Sequence, residues 1–198
     1  MNQRHSPALL RAVVLALAVA LVASVLPTAA FAQPRGEQFM ANLVDPAGHF
    51  GRRGSTTAPV VIHIDQYSSD AEVQRLAGIL TQKGPDALRD ALWNQEVGYI
   101  RIGGGLGYPL AAARSQDTGN GGRIIRLMLD RPISQREVIN NTFSVDYPFG
   151  YIEIKLDASG KGEGQFYQAA KVRLVNGTLD VENFTPQPLR LLGVRAAR

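Results

Sequence analysis

His63, Asp65 and Tyr67 are the residues of this chain whose types and spacing come closest to a chemical site. They occupy alternate positions of the run Val60–Tyr67, in which Val60, Ile62 and Ile64 form the other set. A strand sends alternate side chains to opposite faces. The imidazole, the carboxylate and the phenol are therefore expected on one face, opposite the apolar set, with their tips converging on a ligand. An imidazole beside a carboxylate can ligate a metal or exchange a proton near neutral pH. Zinc, however, takes three or four protein ligands. Beyond the first 32 residues the chain has only His49 and His63 as histidines, and it has no cysteine. No spacing demands a third ligand from His49 or Glu153, so no metal is assigned. The expected role of His63, Asp65 and Tyr67 is ligand binding, and the alternative is a solvated polar face.

Other motifs resolve into turns. Gly103-Gly104-Gly105-Leu106-Gly107 has dinucleotide-loop glycines, but such a loop must leave a strand and open a helix, and here Tyr108-Pro109 leads into another strand. Asp157-Ala158-Ser159-Gly160-Lys161-Gly162-Glu163-Gly164 lacks the glycine spacing and the Ser or Thr of a phosphate loop. As a calcium loop it fails at its twelfth position, Gln168, where a glutamate belongs. No G-x-S-x-G elbow is present, and Ser68, Ser69, Ser115 and Ser134 fall in turn or cap contexts. Asp146, Glu153 and Glu163 could supply paired carboxylates, as could the acidic residues of almost any β protein. No catalytic residue and no cofactor are assigned.

The elements that would position these residues are mostly strands. After Val60–Tyr67, Ser69 and Glu72 have capping-box spacing, and Val73, Leu76, Ala77 and Leu80 repeat as one buried helical face. Gly84 is expected to end that helix and Pro85 to open a second, carrying Leu88, Ala91 and Leu92. Strands are expected at Val97–Ile102, Leu106–Arg114, Arg123–Leu129, Tyr151–Asp157, Gln165–Val175, Thr178–Asn183 and Leu189–Val194. Asn176-Gly177 joins two of them as a tight hairpin. One-sided alternation, clearest in Ile152, Ile154 and Leu156, argues for antiparallel pairing with one face buried. The predicted class is α+β, mainly β: an antiparallel β-sandwich or partly open barrel with one two-helix insertion after the first strand.

Three regions are expected along the chain. Residues 1–32 read as a signal peptide: Arg4 and Arg11, an apolar run from Ala12 to Leu26 broken only by Ser24, and Ala30-Phe31-Ala32 as the cleavage site. The apolar run is shorter than the roughly 20 residues of a membrane span, so no transmembrane segment is expected after cleavage. Residues 33–59 lack periodicity and are expected to form a flexible tether. Residues 60–198 have the size of one domain. The leader holds two of the 21 basic residues and none of the 17 acidic ones, leaving a net charge near +2. Such a balance, with charges interspersed, argues against a nucleic-acid partner. Lysine occurs only at 83, 155, 161 and 171, an arginine preference that fits a GC-rich bacterial genome. Outward Glu153, Lys155, Arg173, Asp180 and Glu182 argue against an outer-membrane barrel. The six tyrosines lie in or beside the β region, where packing or a ligand cleft would use them.

Asp130-Arg131-Pro132-Ile133-Ser134, the run Asp146-Tyr147-Pro148-Phe149-Gly150-Tyr151-Ile152-Glu153-Ile154-Lys155-Leu156-Asp157, and Gly160-Lys161-Gly162-Glu163-Gly164 resemble a group of exported bacterial proteins of unknown function. Val181-Glu182-Asn183-Phe184 and Pro188-Leu189-Arg190-Leu191 share that resemblance, which covers about residues 60–194. It implies kinship and no catalytic residue. The expected function is a periplasmic or secreted binding or interaction module whose partner is a small molecule or an envelope protein. The alternatives are a small secreted hydrolase with a loop-built site and a structural partner in an envelope complex.

Overall fold

Alternation sets the inner face strand by strand. In β2 (Thr57–Ile64), Val60, Ile62 and Ile64 are buried while His63 is only half covered. β6 (Arg123–Leu129) buries Ile125, Leu127 and Leu129, and β7 (Phe149–Leu156) buries Ile152, Ile154 and Leu156. The computed structural model describes residues 36–46, 57–133 and 146–197. The leader at 1–32, His49 and Ser134 lie outside the described residues.

The remaining strands are β1 (Glu37–Val44), β3 (Gly98–Ile102), β4 (Gly107–Pro109), β5 (Ala112–Asp117), β8 (Lys161–Val175), β9 (Thr178–Asn183) and β10 (Leu189–Ala196). All ten form one antiparallel sheet in the order β4-β3-β2-β1-β10-β8-β7-β6-β5, with β9 paired to β8 off that path. The sheet does not close. Its two ends, β4 and β5, are nevertheless separated in the chain by Leu110 and Ala111 alone. Leu110 donates to the Gly98 carbonyl and Ala111 to the Met128 carbonyl, so the chain steps directly from the β3 side to the β6 side. The sheet therefore coils until both ends share one core, in which Ile62 and Ile100 meet Ala113, Ile125, Ile152 and Phe166.

Two expectations about the chain's organisation need correction. The supposed tether contains β1, a central strand paired over its whole length with β2 and, from Phe39 to Val44, with β10. Phe39, Ala41 and Leu43 are buried at its inward positions. Met40 and Val44 at its outward positions blur the alternation, and the Gly, Pro and Arg around it hid a short strand held by the next strand, β2, and by the distant β10. The predicted helical pair forms one span, α1 (Asp70–Leu92), kinked at the expected position: Gly84 alone is non-helical, at φ 84° and ψ −177°, and separates two helical segments. That conformation is nearly restricted to glycine, and Pro85 follows it. The capping box is half made. Ser69 accepts from the Glu72 amide at 3.2 Å, but the Glu72 carboxylate turns to Arg75, with two contacts of 2.8 Å. That guanidinium holds the Glu72 carboxyl below its usual range.

α1 lies on the outer face of the sheet, where Leu80, Leu88 and Leu92 form a second core with Ala111, Phe149 and Val172. A bulge in β8 makes this possible. Phe149 and Tyr151 are two residues apart, yet their partners Ala170 and Tyr167 are three apart. One extra residue exchanges the faces of everything beyond it. Phe166 thus points into the coiled sheet, whereas Val172 and Leu174 point out towards the helix.

Candidate functional site

The structure brings together two of the three residues singled out by spacing. β2 ends at Ile64, and the Asp65 amide donates to the Val97 carbonyl at 2.8 Å. His63 stays on the outer face with Nε2 3.0 Å from Asp65 Oδ1, and its ring stacks on Tyr99 at 5.2 Å with an interplanar angle of 24°. The Arg101 guanidinium also lies over Tyr99, 5.2 Å from the ring centroid. Tyr67 does not join them. With the strand ended, its side chain turns inward and is buried in the main core.

The Tyr67 hydroxyl instead donates to Glu37 Oε2 at 2.8 Å. Arg123 grips the same carboxylate with two hydrogen bonds, of 3.0 and 2.8 Å, and sits over the Phe39 ring. Glu37 and Arg123 occupy inward positions at the ends of β1 and β6, strands with three others between them in the sheet order. Their pair spans one end of the coiled interior. Burial, and then the Glu37 charge, push the Tyr67 phenol well above its ordinary value. The cluster has the marks of a structural tie: its polar groups satisfy one another, and each comes from a different element.

A concave feature lies elsewhere, between α1 and the outer face of β5–β7, bounded also by the β8–β9 hairpin. It is a cleft of about 710 Å³, within the few-hundred to thousand Å³ range of small-molecule sites. Its apolar side consists of Val73, Leu76 and Leu80 from the helix with Met128, Leu174 and Leu179 from the sheet. Of the helical stripe predicted as a buried face, only Leu80 is buried; Val73, Leu76 and Ala77 are half-covered and look into the cleft.

The polar floor is a cross-strand row. Arg114 of β5 pairs in register with Arg126 of β6, which pairs with Glu153 of β7. Arg126 donates to Glu153 at 3.1 Å and to Gln116 at 2.8 Å. Arg114 pairs with Asp70 at the start of α1 and also donates to the Ser68 carbonyl at 3.4 Å. Tyr151, edge-on to Tyr167, adds a buried phenol whose pKa is raised by burial and by Glu153. A more open depression of about 640 Å³ continues over β7, β8 and β10 and shares Glu153.

This cleft leaves no signature in residue spacing, because its lining comes from six separate elements and its polar members are ordinary outward residues of alternating strands. One local signal existed: Arg114 and Arg126, on neighbouring strands, stand beside the inward apolar residues Ala113, Ile125 and Leu127. Among the described residues no group of three or more His, Asp or Glu is placed to hold a metal ion, and no helix is long and apolar enough to cross a membrane. No protein-family model, curated protein or solved structure matches the chain.

Proposed function

We propose that this chain is an exported binding module and that its ligand occupies the cleft between α1 and β5–β7. The half-exposed apolar face of α1 supports this reading most directly. Val73, Leu76 and Ala77 remain half-covered beside an open space of about 710 Å³, although Leu76 also packs on the edge of the second core. Apolar side chains left beside such a space gain when an apolar ligand removes them from water, by about 25 cal/mol per Å². The polar row at the floor then orients what enters. The coiled sheet, read as a partly open barrel, supplies a rigid wall, and the helix supplies the other. Export rests on the leader, its cleavage site and the absence of cysteine.

The test uses mature protein beginning at Gln33, exported by a bacterial host and examined by native mass spectrometry, then by thermal shift against a panel of small molecules. A co-purified molecule or a saturable rise in melting temperature is expected, and Ala77→Trp, which fills the cleft, should abolish it while the variant still folds. Binding that survives Ala77→Trp, or a bare mass with no stabilising compound in a chemically broad panel, would overturn the reading. His63→Ala reports on the other surface and should leave cleft binding unchanged.

A further inference from the structure

Resting on that cleft, we infer its ligand class: a free, single-tailed amphiphile with an anionic head (a carboxylate, sulfate or phosphate monoester). The first observation is the arginine pair. Arg114 and Arg126 are directly opposed across β5 and β6 and both face the cleft. Like charges so placed are destabilising, and the two nearest carboxylates flank the pair without lying between its members. Glu153 engages Arg126 from the β7 side. Asp70 engages Arg114 from the helix start. The Asp70 side chain is 76% exposed, so its pair with Arg114 is screened and weak. An incoming anion can take its place on Arg114 without removing a second buried charge.

The second observation is the asymmetry of the walls. Both arginines lie at the floor, whereas Leu76, Leu80, Leu174 and Leu179 form a continuous apolar side with no charged member. A small inorganic anion would leave this side wet. An uncharged hydrocarbon would cover the guanidinium groups and leave two opposed cations with no anion between them. A molecule with an anionic end and an aliphatic body satisfies both. Arginine suits the role, since its planar fork can meet an oxyanion with two parallel hydrogen bonds. The hydrocarbon body lies under α1, against Leu76 and Leu80.

Titration calorimetry on the mature chain, below each compound's micelle concentration, tests the assignment with decanoate, decyl sulfate, decyl maltoside, decyltrimethylammonium and inorganic phosphate. Decanoate and decyl sulfate are expected to bind, with decyl maltoside at least about tenfold weaker, the size of one charge-assisted hydrogen bond. Arg114→Gln should weaken the anionic compounds by about tenfold or more and leave decyl maltoside unchanged. Arg126→Lys keeps a charge opposite Glu153 and serves as the second variant, with a smaller loss expected. Added salt should weaken the anions selectively. Equal binding of decanoate and decyl maltoside, both lost in Ala77→Trp, would overturn the anionic assignment and leave the cleft reading standing. No binding of any amphiphile overturns the assignment, and the broad panel above then decides the cleft separately. Phosphate binding as tightly as decanoate, or capture by phosphatidylglycerol vesicles without binding of dispersed decanoate, would also overturn it.

Discussion

At the scale of single residues, the Glu37–Arg123–Tyr67 cluster shows how a polar group can close a fold. Each member alone would be costly in a half-buried position, and together they satisfy one another. Tyr67→Phe removes a hydrogen bond to a charged acceptor and should lower stability by about 1–2 kcal/mol at neutral pH, measurable by urea titration. The same residue predicts an alkaline limit. Burial and the adjacent Glu37 raise the Tyr67 phenol above its unfolded value near 10. A group raised in the folded state contributes fully below its unfolded pKa, and that contribution is lost as pH climbs towards the folded value. Melting temperature should therefore fall above about pH 10, and Tyr67→Phe should flatten part of the fall. Tyr151, raised by burial and Glu153, accounts for more of it. An alkaline fall of equal steepness in Tyr67→Phe would show that its phenol stays free to ionise.

At the scale of elements, β1 is the test of how the domain is built. It is hydrogen-bonded on both sides, and it brings Phe39, Ala41 and Leu43 to the core and Glu37 to the tie. Deleting residues 37–44 should abolish the cooperative melt and the strand signal in circular dichroism, whereas deleting a tether would leave both intact. The β7–β8 hairpin carries a second constraint. A Cβ at Gly162 would overlap the Lys155 carbonyl oxygen, so the two backbones approach as closely as glycine permits. Gly162→Ala should cost more than the roughly 1 kcal/mol at which ordinary point substitutions centre, read as a lowered denaturant midpoint. In the same hairpin Asp157 accepts from the Ser159 amide and hydroxyl and from the Lys161 amide. These bonds hold its carboxyl below the usual carboxylate range. Their contribution is present above the unfolded carboxylate value and fades as pH falls through the folded one.

At the scale of the whole molecule, one core joins strands from both ends of the sheet order. No strand group can therefore melt without exposing the rest. Thermal unfolding of the mature chain should be a single transition, with far-UV and tyrosine near-UV signals coincident; two resolved steps would contradict a shared core. A ligand held between α1 and the sheet bridges both packing layers. At about one hundred times its dissociation constant it should add about 2.7 kcal/mol to that same transition.

The local features were legible in the sequence because their causes are local. Alternation identified the inward residues of β2 and β7, and Ser69 was readable as a helix cap. Asn176-Gly177 does turn with positive φ at both residues, since turn chemistry depends on the residues themselves. Gly84 marked the break in α1 for the same reason, although the helix continues beyond it. What remained hidden depends on partners far along the chain. β1 is a strand because β2 and β10 flank it, Tyr67 faces inward because β2 stops at Ile64, and the β8 bulge reverses which residues meet the helix. The cleft is the strongest case, since Arg114, Arg126 and Leu76 become neighbours of one space only when the sheet coils and α1 settles across it. Periodicity assigns a residue to a face, and only the packing of those faces decides which of them stay open.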